Sequence, residues 1–359
     1  MVVYLANLDG QGLVFTYGLF GVQHDELTAE KKKVISTLYS LLSQSADRVD
    51  HLQDESHGVP REGPKCTTFV GYWLKSGDYE KWKETDEVKQ FWDGLPEDAG
   101  VWREVMTVPK SRYMFAANQH ETSGLATMLG LKASTDEAYW GVYRHRLSAN
   151  PDEYTDPDDT FTSPLATSSK AKPDPSKKVV DLSKSSLSDK IRLGRVTISK
   201  IPDNLCYCRE GQRQPNLPPE ELETWKQKLA PHAVSWMNHL DTERNKNGVV
   251  SFTFNIAHLN PKPTLDPGTD LEVDTDAIAE TNQLMYLLDL AHFELAGRSF
   301  KDHVKLRQTT FEMYGPGGAH SQNGKLSIWV ELCILKSGDM DAEYVGCREG
   351  TGLMVLENV

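Results

Sequence analysis

Residues 289–335 read DLAHFELAGRSFKDHVKLRQTTFEMYGPGGAHSQNGKLSIWVELCIL. The spacing of their apolar residues predicts a helix that carries His303, followed by a strand over 325–335. Between these elements, the glycines and Asn323 predict a turn that carries His320. A helix followed closely by an apolar strand indicates a mixed α+β fold, and the same alternation is expected elsewhere in the chain.

The residues before this stretch repeat the alternation. Residues 1–146 predict strands over 13–22, 66–74, 100–117 and 138–146, with helices over 28–42 and 76–92 and a polar loop over 43–65. This order is close to that of a ferredoxin-like unit, with a kink expected at Pro109. Residues 147–190 are rich in Pro, Asp, Ser, Thr and Lys, which predicts a long loop or linker.

Residues 191–359 predict a second α+β half. Strands are expected over 192–209, 249–257 and 325–335, with 342–347 as the last partner of the strand at 325–335. Helices are expected over 218–240, kinked at Pro231, and over 277–314, broken near Gly297. Residues 260–276 resemble an inserted loop. Two halves of similar order predict antiparallel sheets formed by an internal duplication.

Composition limits the classes of partner. The formal net charge of −13 over 359 residues argues against binding to nucleic acid or to anionic membranes. No apolar run approaches the roughly 20 residues of a spanning helix, and the N-terminus has no basic region of the kind that precedes a secretory signal. The five cysteines include no C-x-x-C pair, which favours buried thiols in a reducing cytoplasm over disulfides or zinc.

Several residues are candidates for chemistry, each with an ordinary alternative. His303 lies beside Phe300 on the predicted helix, as either a core histidine or the single protein ligand that haem requires. Arg144 and Arg146 share one face of an aromatic strand, at a solvated edge or around an anionic group. Glu210 follows Arg209 at a strand end, where a surface ion pair is the ordinary expectation. His320 is by default a solvated loop residue.

Segments in a fixed order resemble the haem-containing aldoxime dehydratases. They are LFGVQ (19–23), VGYW (70–73), WREV (102–105), YWGVYRHR (139–146), DNLCYCREGQ (203–212), FNIAH (254–258), KDHVKL (301–306), KLSIWVELCIL (325–335) and YVGCREGTGLM (344–354). The resemblance implies a dimeric α+β barrel of two ferredoxin-like halves that holds haem b. It also implies that His303 is the axial ligand of the iron and that Arg146 lies on the opposite, distal side of the haem.

The resemblance further implies dehydration of an aldoxime, R–CH=N–OH, to a nitrile, with the substrate nitrogen bound to ferrous iron. At the family's distal serine this chain has Glu210, at the distal histidine it has Val330, and near a family glutamate it has Met114. We therefore expect Glu210, with a pKa raised by burial, or His320 from its loop to supply the proton. The changed residues also leave open a haem enzyme acting on another N–O or N–N compound, or a haem-binding sensor without catalysis.

Overall fold

One antiparallel sheet runs through the protein. The computed structural model describes residues 3–9, 14–54, 65–134, 180–183, 187–214, 217–258 and 278–357. Its strands are β1 (Val3–Ala6), β2 (Val14–His24), β3 (Arg48–Asp54), β4 (Lys65–Trp73), β5 (Val101–Pro109), β6 (Tyr113–Ala117), β7 (Leu131–Ser134), β8 (Arg195–Ile198), β9 (Leu205–Arg213), β10 (Val249–His258), β11 (Ile278–Leu287), β12 (Ser327–Leu335) and β13 (Met340–Val345). Across these described ranges the strands pair in the order β7-β1-β6-β12-β9-β11-β10-β3-β4-β2-β5-β13-β8.

Helices connect the strands. They are α1 (Ala29–Ser43), α2 (Ser76–Lys83), α3 (Asp86–Asp93), α4 (Ala126–Leu129), α5 (Pro219–Thr224), α6 (Ala230–Thr242), α7 (Arg244–Asn247), α8 (Leu290–Ser299) and α9 (Lys301–Tyr314). Thr28 caps α1 by accepting a hydrogen bond from the Lys31 backbone N–H at 3.3 Å, as its sequence position predicts.

Two runs of elements share one topology. The first is β2-α1-β3-β4-α2-α3-β5, and the second is β9-α5-α6-β10-β11-α8-α9-β12. In both runs, the four strands lie side by side in the order second, third, first, fourth. The strand pairs β10–β3, β6–β12 and β5–β13 then join the runs into one sheet. Blocks of strands from 1–146 and from 191–359 therefore alternate across the sheet. The division of the chain into 1–146, 147–190 and 191–359 stays a prediction.

The two faces of the sheet have different coverings. Helices α6, α8 and α9 pack on one face of the second run, where they share an apolar core with Cys208 and Val330. Helices α1, α2 and α3 cover the corresponding face of the first run. The opposite faces of the two runs form one shared core, which includes Tyr17, Tyr207 and Trp329. Residues that alternate along β9 and β12 thus point either to the helices or to this shared core.

Most elements predicted from the sequence are confirmed. These include β2, β4, β10 and β12, the helix α1, and the break at Pro109 between β5 and β6. The predicted helix over 218–240 is also present, and a π-helical turn over Trp225–Leu229 ends where α6 begins, next to Pro231. Proline lacks the N–H of a regular turn, which accounts for the irregularity at this point.

Three predictions are wrong. The first part of 277–314 is not helical but forms β11, because its residues are buried on both faces between β9 and β10. The supposed loop 43–65 contains β3, whose polar sequence RVDHLQD hides the strand pattern. Strand β13 pairs with β5 and β8 rather than with β12.

Several other predictions fall outside the described residues: the strand at 138–146 with Arg144 and Arg146, most of 147–190, and the loop 260–276. All five cysteine thiols are free. Among the described residues, no helix is long and apolar enough to cross a membrane.

Candidate functional site

His303 lies in the first turn of α9, on the side of the sheet covered by helices. Its Nδ1 is 2.6 Å from the backbone carbonyl oxygen of Gly297, at the end of α8. A carbonyl oxygen only accepts, so Nδ1 carries the proton and Nε2 carries a lone pair. A Cβ on residue 297 would lie 3.0 Å from Cε1 of His303, so the glycine provides room for this contact. The ring is thus held in one orientation and one tautomer.

The surroundings keep His303 neutral. Burial lowers the pKa of His303 to about 4, and the positive charge of Arg307 lowers it further, while the hydrogen bond to Gly297 acts in the opposite direction. At neutral pH the imidazole is therefore uncharged and can bind a metal through Nε2. A second group that orients the ring through its other nitrogen is the usual arrangement behind a metal-binding histidine.

Trp236 of α6 connects His303 to the sheet. Its ring stacks on the His303 ring with a centroid distance of 4.4 Å and an angle of 28°. The Trp236 indole N–H is buried and makes no hydrogen bond of standard geometry, but it faces the carboxyl of Glu210 on β9. A single tryptophan therefore contacts the two residues that the sequence singled out.

Glu210 is a half-buried carboxyl on the helix-facing side of β9. Burial raises its pKa to about 7, an effect that the indole N–H of Trp236 partly offsets. The predicted rise in the pKa of Glu210 is confirmed, and both protonation states are populated near neutral pH. Such a group can deliver a proton and take one back.

Two glutamines lie beside Glu210. Gln283 of β11 is directly opposite Glu210 across the ladder, so both side chains share one face. Gln283 is 2% exposed and Gln212 is 8% exposed, and their amides exchange two long hydrogen bonds of 3.3 and 3.4 Å. Thr281 also donates to Gln212 at 2.7 Å. Each amide nitrogen retains a second N–H, which makes the pair a source of donors next to the carboxyl.

The remaining positions implied by the resemblance are apolar on this face. Val330 of β12 is directly opposite Glu210, and Met114 of β6 belongs to the same helix-side core. Glu331, the next residue along β12, points to the other face. There it accepts hydrogen bonds from Tyr113 at 3.1 Å and from the Leu125 backbone N–H at 2.7 Å. Glu331 therefore does not replace a donor at position 330.

His320 is placed apart from His303. Its Nε2 is 3.1 Å from the Thr224 hydroxyl, and its ring packs against Tyr314 at the C-terminal end of α9. His303 is at the other end of this helix, about 16 Å away for eleven residues of helical rise. The structure thus brings together His303 and Glu210, while the catalytic role of His320 stays a prediction. Arg146 lies outside the described residues.

Sequence reasoning missed Trp236 and the glutamine pair. The pattern of Trp236 in PHAVSWMNHL is that of an ordinary core residue on a helix, so nothing distinguished it. The sequence predicts a helix at Gln283, which conceals that this residue lies opposite Glu210 on the neighbouring strand. The alternation of CYCREGQ was the available signal, since it places Glu210 and Gln212 on one face.

Solved structures of known proteins share this fold. One is an aldoxime dehydratase with a TM-score of 0.76 and 18% identity, covering 99% of this chain and 91% of the other. Another is an aldoxime dehydratase in complex with butyraldoxime, with a TM-score of 0.73 and 16% identity, covering 98% and 88%. These similarities define the class of protein: an α+β chain with the fold of the aldoxime dehydratases.

The sequence comparison identifies the family. The model of the haem-containing dehydratases matches residues 18–353, and the chain belongs to this family. Phenylacetaldoxime dehydratase of Bacillus sp. (strain OxB-1) is 22% identical over 302 residues, covering 82% of this chain and 74% of the relative. Aliphatic aldoxime dehydratase of Rhodococcus globerulus is 22% identical over 307 residues, covering 84% and 75%.

Haem is accordingly the cofactor. The chemistry around His303 fits it, because haem iron needs one neutral imidazole whose other nitrogen donates to a fixed acceptor. The contact from Nδ1 to Gly297 provides that acceptor, and the aromatic rings of Trp236 and Phe300 supply an apolar wall.

Proposed function

We propose that this protein dehydrates an aldoxime, R–CH=N–OH, to a nitrile and water at a haem held by His303. The observation that carries the proposal is the pairing, through Trp236, of a neutral oriented imidazole with a carboxyl whose pKa is about 7. The names of the relatives support the substrate class: one is a phenylacetaldoxime dehydratase and another is an aliphatic aldoxime dehydratase.

His303 would hold the haem through Nε2, with Gly297 fixing the ring. Bound haem would supply a ferrous iron, whose chemistry is electron donation toward the N–O bond of the oxime. The remaining steps belong to side chains of the protein. Protonated Glu210 donates its proton to the oxime oxygen, so the N–O bond breaks and water leaves instead of hydroxide. The Glu210 carboxylate then accepts the hydrogen from the substrate carbon, which completes the nitrile and restores the acid.

Gln283 positions the leaving group. Its amide lies on the same face as Glu210, directly across the ladder, and retains an N–H that can be donated to the oxime oxygen. Gln212 holds that amide in place through the paired hydrogen bonds. We propose that these neutral donors take the place of the family's distal serine. Arg146 and His320 enter the proposal from the sequence alone, as further distal groups.

The same proposal covers the architecture. Two runs with one strand order support two ferredoxin-like halves, 1–146 and 191–359, linked by 147–190, in a dimeric α+β barrel. We propose a homodimer in the cytoplasm that acts on a small-molecule aldoxime and binds neither nucleic acid nor membranes, as the net charge of −13 favours.

A second function has one observation in its favour. Glu210 and Val330 stand where the resemblance implies serine and histidine, and these groups select the reaction. A haem enzyme acting on another N–O or N–N compound is therefore the alternative, followed by a haem sensor without catalysis.

The test uses purified protein with haem, reduced under anaerobic conditions. Butyraldoxime and phenylacetaldoxime are added separately, visible spectra are recorded, and nitrile is measured by gas chromatography. The proposal expects a spectral shift with nitrile formation. A shift without nitrile favours the alternatives. The variant His303→Ala should lose the Soret band at equal protein concentration, and retention of that band would contradict the ligand assignment.

A further inference from the structure

A cavity lies between the two runs, on the shared side of the sheet. Its volume is about 220 Å³. Its walls come from β2, β3, β4 and β5 of the first run, from α6, α7, β10 and β11 in the second half of the chain, from Leu187 and from the turn at 350–352. None of the described residues that line it is His303, Trp236 or Glu210. We propose that it binds a small neutral molecule that presents a hydrogen-bond acceptor to Trp102.

Trp102 supplies the specific contact. Its side chain is 7% exposed, and its Nε1 is buried without a hydrogen-bond partner among the described residues. The ring lies directly on Gly21, where a Cβ would be 2.1 Å from Cε2, so the glycine provides the room that the indole occupies. The N–H faces the sulfur of Cys66, which is a weak acceptor. A buried indole N–H normally finds a partner, and leaving it unpaired is unfavourable.

The ionisable groups that line the cavity, Asp54 among them, already have partners within the protein. Glu104 is 1% exposed, and burial raises the pKa of its carboxyl, although Tyr344 and the Leu353 backbone N–H donate to it. Burial also raises the pKa of the Cys66 thiol to about 12. Arg244 is paired with Asp241 at 2.5 Å. A charged ligand would find no free counter-charge among these groups, so a neutral ligand is favoured.

The size and the remaining walls define the rest of the ligand. Leu19, Leu284 and Tyr286 contribute apolar surface to the lining, while Ser251 and Asn255 contribute polar atoms. An enclosed cavity of about 150 Å³ accommodates benzene. The cavity therefore suits a molecule of about six to eight non-hydrogen atoms with an apolar body and a carbonyl, amide or similar acceptor at one end.

The proposal is tested with isobutyramide as the probe and isobutyrate as the matched anion. The reduced protein with haem is saturated with carbon monoxide, which prevents other ligands from binding to the iron and keeps the iron diamagnetic. The indole N–H signals are followed by ¹H–¹⁵N NMR after labelling tryptophan with ¹⁵N. The Trp102 signal is assigned by its loss in Trp102→Phe. Isobutyramide should shift it saturably, with a dissociation constant of about 1 mM for six heavy atoms, and isobutyrate should not.

A filling variant provides the second arm. Ser251→Leu places a larger side chain into the cavity from β10 and should abolish the shift while leaving the Trp102 signal dispersed as in the folded protein. The proposal is overturned if no Trp102 shift occurs up to 50-fold above about 1 mM, if isobutyrate shifts it equally, or if the shift persists in Ser251→Leu. Because the iron is blocked and no turnover is measured, these outcomes do not depend on the proposed dehydration.

Discussion

Replacing Glu210 by glutamine tests the acid assignment in two independent ways. The first is catalytic. A general acid contributes about 10²–10⁴-fold to rate, so Glu210→Gln should lower kcat for nitrile formation by this amount. With the pKa of Glu210 near 7, the unmodified enzyme should lose activity about tenfold per pH unit above pH 7. The residual activity of Glu210→Gln should not show this decrease above pH 7.

The second readout is stability, which needs no substrate. The carboxyl has a pKa of about 7 in the folded protein and 4.5 as its ordinary value. Below pH 4.5 the carboxyl is protonated in both the folded and the unfolded state, so its ionisation does not lower the free energy of unfolding. As pH rises to 7, the unfolded chain releases the proton first, so the free energy of unfolding falls. The full fall in the free energy of unfolding caused by ionisation of Glu210 is about 3 kcal/mol. Because Glu210 is half-buried, solvent screening reduces this fall to about 1–2 kcal/mol.

Glu210→Gln should therefore raise the free energy of unfolding by about 1–2 kcal/mol at pH 8 and leave it nearly unchanged at pH 4. Urea unfolding of the haem-loaded protein at both pH values measures the difference. Glu312→Gln, an exposed position on α9, is the control and should show no such dependence. An equal effect of Glu210→Gln at both pH values would refute the reasoning, and full turnover would remove Glu210 from the mechanism.

Three further changes have defined outcomes. Gly297→Ala places a methyl group about 3.0 Å from Cε1 of His303, so haem should transfer to apomyoglobin roughly 10–100-fold faster; an unchanged rate would contradict the orienting role. Gln283→Leu should lower kcat about tenfold and shift the stretching frequency of iron-bound carbon monoxide. If Gln283→Leu changes neither quantity, Gln283 does not face the substrate. Thr28→Ala removes the cap of α1 and should cost about 1 kcal/mol, lowering Tm by about 2 °C in a scanning calorimeter; an equal or higher Tm would argue against the cap.

Much of the fold could be predicted because its strands are strongly patterned. Residues 14–24 and 65–73 are β-branched and aromatic, and Thr28 marks a helix start. The failures have physical causes. The strand β3 has polar residues that are buried, since Asp50 is 8% exposed and pairs with Arg209 at 2.8 Å, so its sequence lacks an apolar alternation. The strand β11 is buried on both faces and its sequence IAETNQLMYL includes buried polar residues, so no apolar–polar alternation marks it as a strand.

The site was predictable only in part. His303 and Glu210 were found through the resemblance, not through spacing, because a haem site needs a single protein ligand and has no repeating motif. The roles of Trp236 and Gln283 depend on which strands and helices meet. Trp236 is 26 positions from Glu210 and 67 positions from His303 along the chain. A single sequence does not specify contacts between residues so far apart.

The interleaving of strands from both ends of the chain has a consequence for synthesis on the ribosome. One edge of β5 pairs with β13, so it stays unpaired until residues 340–345 have emerged from the ribosome. One edge of β6 likewise stays unpaired until residues 327–335 have emerged. The N-terminal run therefore leaves the ribosome with an open hydrogen-bonding edge, which stays unpaired until residues 340–345 follow. His303 also follows the whole N-terminal run in the sequence, so its contact with haem cannot form before that run has been synthesised. A truncation before residue 340 should expose two strand edges and promote aggregation even though the haem ligand is still present.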